Sequence, residues 1–211
     1  ASRIAEGSIS VFNLSLNLQS VPLSIIGVSY SIAAFPTLSR LFSSGQKDNF
    51  LKQIIASSRH IIFWSIPISV LFIVLRAQIV RTVLGAGKFS WEDTRLTAAS
   101  LALFTTSIVA QSMMLLFVRG YYAMGNTKKP LLVSLFSGTM IIFFSFILLI
   151  IFNGIPFFRY FIESLLRVDN ISGTAVLMLP VAYSLSTIVN CVLLGIYFNR
   201  DFPSFSKVVM K

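Results

Sequence analysis

Charged residues are scarce in this sequence. Asp, Glu, Lys and Arg make up 11% of its 211 residues, whereas an ordinary soluble domain carries about 25%. Hydrophobic residues reach 55%, and several uncharged runs have the roughly 20 residues that a helix needs to cross a bilayer. The composition excludes an ordinary soluble domain. It predicts an all-α integral membrane protein, built as a polytopic bundle of transmembrane helices.

The residues that most often build catalytic and metal sites are scarcer still. The chain has 7 Asp and Glu, one Cys and one His. Cys191 alone permits no intrachain disulfide, and His60 has no carboxylate or cysteine cluster near it in the sequence to make a metal site or a proton relay. The "GAGK" after Leu84 lacks the length and the Ser or Thr of a phosphate-binding loop. We therefore expect no enzymatic activity, no cofactor and no metal site.

Basic residues outnumber acidic ones, and the net charge is +10. They are scattered between apolar runs rather than gathered on one face, which disfavours nucleic-acid binding. Excess Lys and Arg is also typical of loops on the cytoplasmic side of a membrane. Five spans would place ten of the 17 Lys and Arg on one side of the membrane and seven on the other. The side with ten is predicted to be cytoplasmic.

Five apolar runs predict five transmembrane helices. The fourth has no charged residue over 23 residues and begins with Pro130, at a helix position where proline is tolerated. Prolines inside the other runs predict kinks at Pro22, Pro67 and Pro180. The predicted spans of this single membrane domain are residues 8–38, 57–84, 96–124, 130–152 and 171–198.

Residues 156–168 form a separate amphipathic segment after the fourth span. Its apolar residues recur at helical spacing against charged ones, which predicts a short helix lying in the membrane interface. The apolar set is Phe158, Phe161, Ile162 and Leu165, and the charged set is Arg159, Glu163 and Arg167.

A polar stripe interrupts the first span. On a helix, Asn13, Asn17, Ser20 and Ser24 fall at steps of four, three and four, so they share one face about three turns long. Gly27 and Ser31 would continue that face. A polar stripe of this kind is not expected to face lipid.

Two functions are open to this stripe. Asn and Ser can hydrogen-bond across a packed helix interface beside small residues, or they can line a water-filled path for a polar ligand. A second stripe on the last span adds weight to the path, because a central cavity needs more than one polar-faced helix. It consists of Ser184, Thr187 and Asn190.

Two residues of the third span are further candidates. Gln111 suits either a cavity wall or an interhelical hydrogen bond. The guanidinium of Arg119 could extend to the membrane interface as a structural residue, or it could contact an anionic headgroup. The candidate ligand contacts are therefore Asn13, Asn17, Ser20, Ser24, Gln111, Arg119, Ser184, Thr187 and Asn190.

Three motifs in the same order resemble the MurJ/MviN family of lipid II flippases. The first is "GSISVFNLSLNLQSVPLSIIGVSYSIAAFPTLSR", with Pro22 and Gly27 in the family's register. The second is "LRAQIVRTVLGAGKFSWEDTRLTAASLALF", and the third is "VRGYYAMGNTKKP". Because the chain opens on "ASRIAEGSIS" without a basic leader and a short apolar core, no signal peptide is predicted, and we expect an internal piece of a longer protein.

The resemblance implies a fold and a function. Members of the multidrug/oligosaccharidyl-lipid/polysaccharide exporter superfamily, which is related to the MATE exporters, have fourteen helices in two pseudosymmetric lobes and work by alternating access. The chain would supply the eighth to twelfth helices, in the second lobe. The implied cargo is lipid II, an undecaprenyl-pyrophosphate-linked peptidoglycan precursor turned over in the bacterial plasma membrane for cell wall biogenesis. The implied partners are lipid II, membrane lipids and cell-wall synthesis proteins.

The sequence departs from the family at charged positions. The family's cavity arginine on the first of these helices aligns with Asn17, and nearby acidic positions align with Leu16 and Ser20. The asparagine and aspartate that help some members bind sodium align near Ile141 and Ser145. Ser184 and Thr187 lie near the corresponding part of the last span. We therefore expect no sodium site of that kind.

These departures leave other functions open. The same fold could move another lipid-linked oligosaccharide, or it could be a cation-coupled exporter. A membrane scaffold that recruits cell-wall enzymes without transport is a third interpretation, favoured by the missing cavity arginine.

Overall fold

A computed structural model describes residues 8–85, 90–169 and 171–202. These residues are almost entirely helical and contain no β-strand, so the protein is an all-α membrane bundle as the composition predicted. Within these ranges, nine α-helices are separated by short turns. They are α1 Ser8–Leu23, α2 Ser29–Ser43, α3 Lys47–Val74, α4 Arg76–Leu84, α5 Trp91–Thr105, α6 Ile108–Ala123, α7 Lys128–Gly154, α8 Pro156–Leu166 and α9 Met178–Asp201.

Four to five segments of the described chain are long and apolar enough to cross a membrane. Four are continuous, namely Ile9–Ser43, Lys47–Val74, Lys128–Gly154 and Thr174–Asp201. The fifth is the pair α5 and α6, which is bent by 44°. The most apolar is the span in α7, which contains the predicted residues 130–152.

A π-helical turn at Ser24–Val28 joins α1 to α2. It begins two residues after Pro22, whose missing N–H breaks the regular hydrogen-bond ladder. An i→i+5 turn fits an extra residue into the helix, so residues after it are rotated around the axis. The predicted span 8–38 is therefore helical throughout but does not keep one face along its length.

Two of the predicted spans contain breaks in the structure. Predicted residues 57–84 cover the second half of α3 and all of α4, which are separated at Leu75. The residues of α4 include Arg76, Gln78 and Arg81, so hydropathy falls where the helix breaks. Predicted residues 96–124 start one turn late, because Ser90 and Asp93 form a capping box that begins α5 at Trp91.

Among the described residues, one compact unit contains 8–21, 69–85, 90–107, 139–169 and 171–186; we call it unit 1. Its core holds Val11 of α1, Ala99 of α5, Phe152 of α7 and Leu177 before α9, all buried. The ring of Phe12 packs edge-on against Phe104 with 5.3 Å between centroids. These contacts fix which side of α1 faces the protein in this unit.

The other compact unit, unit 2, contains the described residues 22–68, 108–138 and 187–202. Its core is aromatic: Phe198 of α9 packs on Phe50 of α3 and on Tyr121 of α6. Asp201 at the end of α9 accepts hydrogen bonds from Tyr121 Oη at 3.2 Å and from Lys129 Nζ at 2.5 and 2.6 Å. The ends of α6, α7 and α9 are thereby held together.

The helix of the predicted amphipathic segment is present as α8, and one of its charged residues faces the protein. Glu163 is buried and accepts hydrogen bonds from Thr174 Oγ1 at 2.6 Å and from Arg159 Nε at 2.9 Å. Phe161 and Leu165 are exposed instead. The reason is that a buried carboxylate is tolerated when two donors satisfy it, a pairing that helical periodicity alone does not reveal.

Candidate functional site

Polar side chains are exposed on one side of α1 in unit 1. They include Asn13, Asn17 and Ser20, and we call these three the α1 polar face. Ser20 Oγ donates to the Asn17 backbone oxygen at 2.7 Å, which occupies its proton and leaves its lone pairs open. The two asparagine amides each offer donors and an acceptor. The face can therefore hydrogen-bond to sugars, peptides or water.

The α1 polar face is exposed because the opposite side of the helix packs against the rest of unit 1. Val11, Ser15 and Gln19 are buried, and Leu18 packs with Leu101 of α5 in a small apolar cluster. Ser15 Oγ donates to the Val11 backbone oxygen at 2.7 Å, so its hydroxyl is satisfied within the helix. The packing of α1 on α5 thus uses a mixed face and leaves the asparagines unpacked.

The predicted continuation of the stripe was wrong. Ser24 is exposed, but Gly27 and Ser31 are buried. Ser31 Oγ donates to the Gly27 backbone oxygen at 2.5 Å, and a Cβ on Gly27 would lie 2.7 Å from Ser112 Oγ of α6. The rotation introduced by the π-helical turn places these two small residues in a helix contact of unit 2.

Ser184 of the second predicted stripe packs between helices of unit 1. Its Oγ donates to the Leu103 backbone oxygen at 2.8 Å and lies 3.3 Å from Ser107 Oγ. That carbonyl lies where α5 ends, and it also accepts from Thr106 Oγ1 at 2.7 Å. Because a carbonyl freed at a helix break needs a donor in a membrane, this geometry favours the interhelical interpretation of Ser184.

Thr187 and Asn190 of α9 and Gln111 of α6 are buried in unit 2. The Asn190 Oδ1 atom is buried with no hydrogen-bond partner in the part of the chain that the structure describes. Arg119 is partly exposed, and its guanidinium carbon lies 5.8 Å from the ring centroid of Phe35 on α2. A cation–π contact of this kind stabilises the guanidinium beside Phe35.

Gln19 of α1 is a buried polar residue that is not among the candidate contacts predicted from the sequence. Gln19 is 1% exposed, and its Nε2 has no hydrogen-bond partner among the described residues. The hydroxyls of Thr97 and Ser100 on α5 are also buried without a hydrogen-bond partner among the described residues. Buried amides and hydroxyls of this kind are sites for ordered water. Gln19 lies outside the stripe's spacing, so only its burial identifies it.

No metal-binding arrangement occurs in the described ranges, where no three His, Cys, Asp or Glu come together. At the pair aligned with the family's sodium ligands, Ser145 Oγ donates to the Ile141 backbone oxygen at 2.7 Å. That hydroxyl is therefore engaged within its own helix.

Comparison with known proteins gives one consistent family. The model of the family "Lipid II flippase MurJ" matches residues 1–211. A probable lipid II flippase MurJ of Bdellovibrio bacteriovorus is 33% identical over 137 residues, 65% of this chain and 26% of that protein. The corresponding protein of Thermotoga maritima is 33% identical over 135 residues, 64% of this chain and 28% of its own length.

A solved structure shares the fold. The structure described as lipid II flippase MurJ in an inward closed conformation aligns with 98% of this chain at a TM-score of 0.70 and 23% sequence identity. The chain covers 40% of that structure and about a quarter of the length of the curated relatives it matches.

Proposed function

The chain belongs to the lipid II flippase MurJ family, and on that premise we propose that it is part of a transporter that turns over lipid II in the bacterial plasma membrane. The α1 polar face carries this proposal. Within the part of the chain that the structure describes, Asn13, Asn17 and Ser20 of a membrane-spanning helix are exposed rather than packed. Polar side chains exposed on a spanning helix need water or a polar ligand.

The chemistry of lipid II suits this face. Its sugars and peptide offer many hydroxyl and amide groups, which pair with asparagine and serine side chains. A headgroup that crosses hydrocarbon must exchange its water hydrogen bonds for others at each step, since an unsatisfied polar group costs several kcal/mol there. Successive residues along one helix face can supply such bonds.

The pyrophosphate requires cations that the α1 polar face does not offer. Asn17 is uncharged where the family resemblance implies an arginine. Among the nine candidate contacts predicted from the sequence, Arg119 is the one that carries a positive charge. Its contact with Phe35 leaves guanidinium N–H groups that can donate to an anion. The proposal therefore assigns sugar and peptide contacts to α1. It assigns Arg119 a secondary role in binding the pyrophosphate.

Two substitutions at Asn17 test the function. We expect the full-length protein that contains this chain to restore growth and lipid II turnover in cells depleted of their own flippase. Asn17→Ala should reduce turnover by roughly three- to tenfold, because one net hydrogen bond is worth about 1 kcal/mol. Asn17→Arg should retain activity, since it restores the charge implied at that position. Turnover is measured by the appearance of lipid II in the outer leaflet.

Membrane levels of each variant provide the control for this test. Failure of the unsubstituted protein to rescue, despite normal insertion, would contradict lipid II as cargo and support another lipid-linked oligosaccharide or a scaffold. Equal rescue by Asn17→Ala and the unsubstituted protein would remove the α1 polar face from the path while leaving the function intact.

A further inference from the structure

A cleft of about 660 Å³ opens in unit 1, away from the α1 polar face. It lies where α3 ends, α4 and α5 begin and α8 ends. Three arginines line it, namely Arg76, Arg95 and Arg167. None of the nine candidate contacts predicted from the sequence lies in it.

The main chain at the end of α8 holds two of these arginines in place. Arg76 Nη2 donates to the Leu166 backbone oxygen at 3.4 Å. Arg95 donates to the Arg167 backbone oxygen from Nε at 3.0 Å and also from Nη2. Helix C-terminal carbonyls lack intrahelical donors and carry partial negative charge. Both guanidiniums are therefore oriented by the fold and keep further N–H groups unused.

The third arginine occupies a position that usually holds glycine. Arg167 caps α8 with φ 58°, in the left-handed region, where a residue with a Cβ is strained. Its backbone N–H donates to Ser164 O at 3.1 Å, and the next N–H donates to Glu163 O at 2.9 Å. Its guanidinium has no hydrogen-bond partner in the ranges that the structure covers. The chain thus places a free cation at a strained turn.

The positive charge of the cleft is not balanced by acidic side chains. Among the described residues, no Asp or Glu forms an ion pair with Arg76, Arg95 or Arg167. Burial lowers the pKa of Arg76, and the nearby charge of Arg167 lowers it further. An anion bound between the three would relieve this repulsion, and guanidinium forks match the oxygens of a phosphate.

The surroundings of the cleft are apolar and aromatic. Ile73, Val74 and Leu166 line it beside the arginines, and Trp91 is 59% exposed at its edge. The outer side of the adjacent α8 exposes an aromatic and aliphatic surface made of Phe157, Tyr160, Phe161 and Leu165. Tryptophan and tyrosine side chains, such as Trp91 and Tyr160 here, concentrate at the level of lipid headgroups. The ligand that fits both surfaces has a phosphate attached to an apolar chain.

We propose that this cleft binds the phosphate of an anionic membrane lipid, held by Arg76, Arg95 and Arg167. The apolar surface of α8 contacts the acyl chains of the same lipid. The site goes beyond the proposed transport function and does not depend on it, because none of its residues belongs to the α1 polar face.

Fluorescence of Trp91 tests the site. The chain has two tryptophans, so Trp64→Phe leaves Trp91 as the reporter in this part of the protein, and every tryptophan elsewhere in the full-length protein is replaced by phenylalanine. We expect short-chain phosphatidylglycerol to bind the detergent-solubilised full-length protein about tenfold more tightly than phosphatidylcholine or inorganic phosphate. In the same background, Arg167→Gly should weaken phosphatidylglycerol binding about tenfold, the effect of one lost charge-assisted contact.

The choice of glycine separates binding from folding. Because glycine accepts the left-handed conformation freely, Arg167→Gly should melt at the same temperature as the reference protein or higher. Arg59→Gln removes an exposed arginine of unit 2 and should leave binding unchanged. Undiminished binding in Arg167→Gly, or equal loss in Arg59→Gln, would overturn the site. Equal affinity for phosphatidylcholine or inorganic phosphate would overturn an anionic lipid as its ligand.

Discussion

Replacing the α1 polar face with apolar side chains is expected to abolish transport while leaving the protein folded. In the triple variant Asn13→Leu, Asn17→Leu and Ser20→Ala, three side chains lose their hydrogen bonds to a passing headgroup. At about 1 kcal/mol for each, the transport rate should fall on the order of a hundredfold. The measurement is lipid II turnover by the full-length protein in flippase-depleted cells.

Stability should not explain that loss. The three residues are exposed, and leucine is favoured over asparagine in a membrane helix. Melting temperature and membrane level should therefore match the unsubstituted protein. The matched control is Ile9→Leu with Val21→Leu, which alters two exposed apolar positions of the same helix and should keep full transport. A triple variant that transports normally would show that the face has no part in the path.

Gly27→Ala is expected to destabilise unit 2. The new Cβ would lie 2.7 Å from Ser112 Oγ and 3.0 Å from Ser112 Cα, and neither a π-helical turn nor a packed α6 can move away without disturbing neighbours. Overpacking of this kind costs about 1 to 3 kcal/mol in the free energy of unfolding. Thermal or denaturant unfolding of the purified protein in detergent measures it.

Gly138 provides the control for this substitution. It lies inside α7, and apart from its chain neighbours and the adjacent backbone of the helix, no atom of the described residues lies within 4 Å of the point that a Cβ would occupy there. Gly138→Ala should therefore be neutral, or stabilise by about 0.4 to 1 kcal/mol through the unfolded state. Adding Ser112→Ala to Gly27→Ala removes the closest atom and should recover part of the loss. Equal stability of the two single alanine variants would contradict the close contact.

The apolar helices are the part of the fold that the sequence predicts best. Residues 130–152 are predicted as a span because they contain no charge, and α7 contains all of them. What apolar length does not encode is where a helix breaks. The π-helical turn after Pro22 and the bend between Thr105 and Ile108 depend on which carbonyls find donors, such as the Ser184 hydroxyl at Leu103. Those donors come from residues far away in sequence.

Helical spacing predicted a shared face for the candidate residues of α1, but it did not predict the burial of the candidates on other helices. Helical spacing grouped Asn13, Asn17 and Ser20, and packing of the opposite face of α1 left all three exposed. Spacing alone could not distinguish an exposed stripe from a buried one, so Ser184 was grouped with cavity candidates although it caps a freed carbonyl. The arginine cleft was also missed, because its members come from three separate segments of the sequence.

Water accessibility at position 17 tests the central claim most directly. The native Cys191 and every cysteine elsewhere in the full-length protein are replaced by alanine, and a cysteine is placed at Asn17 or, as a control, at Ile142, which is 61% exposed on α7. We predict that a membrane-impermeant maleimide labels Asn17→Cys in the full-length protein in cells and that lipid II accumulation slows this labelling, while Ile142→Cys stays unlabelled. If Asn17→Cys is as inert as Ile142→Cys, the α1 polar face does not line a hydrated path.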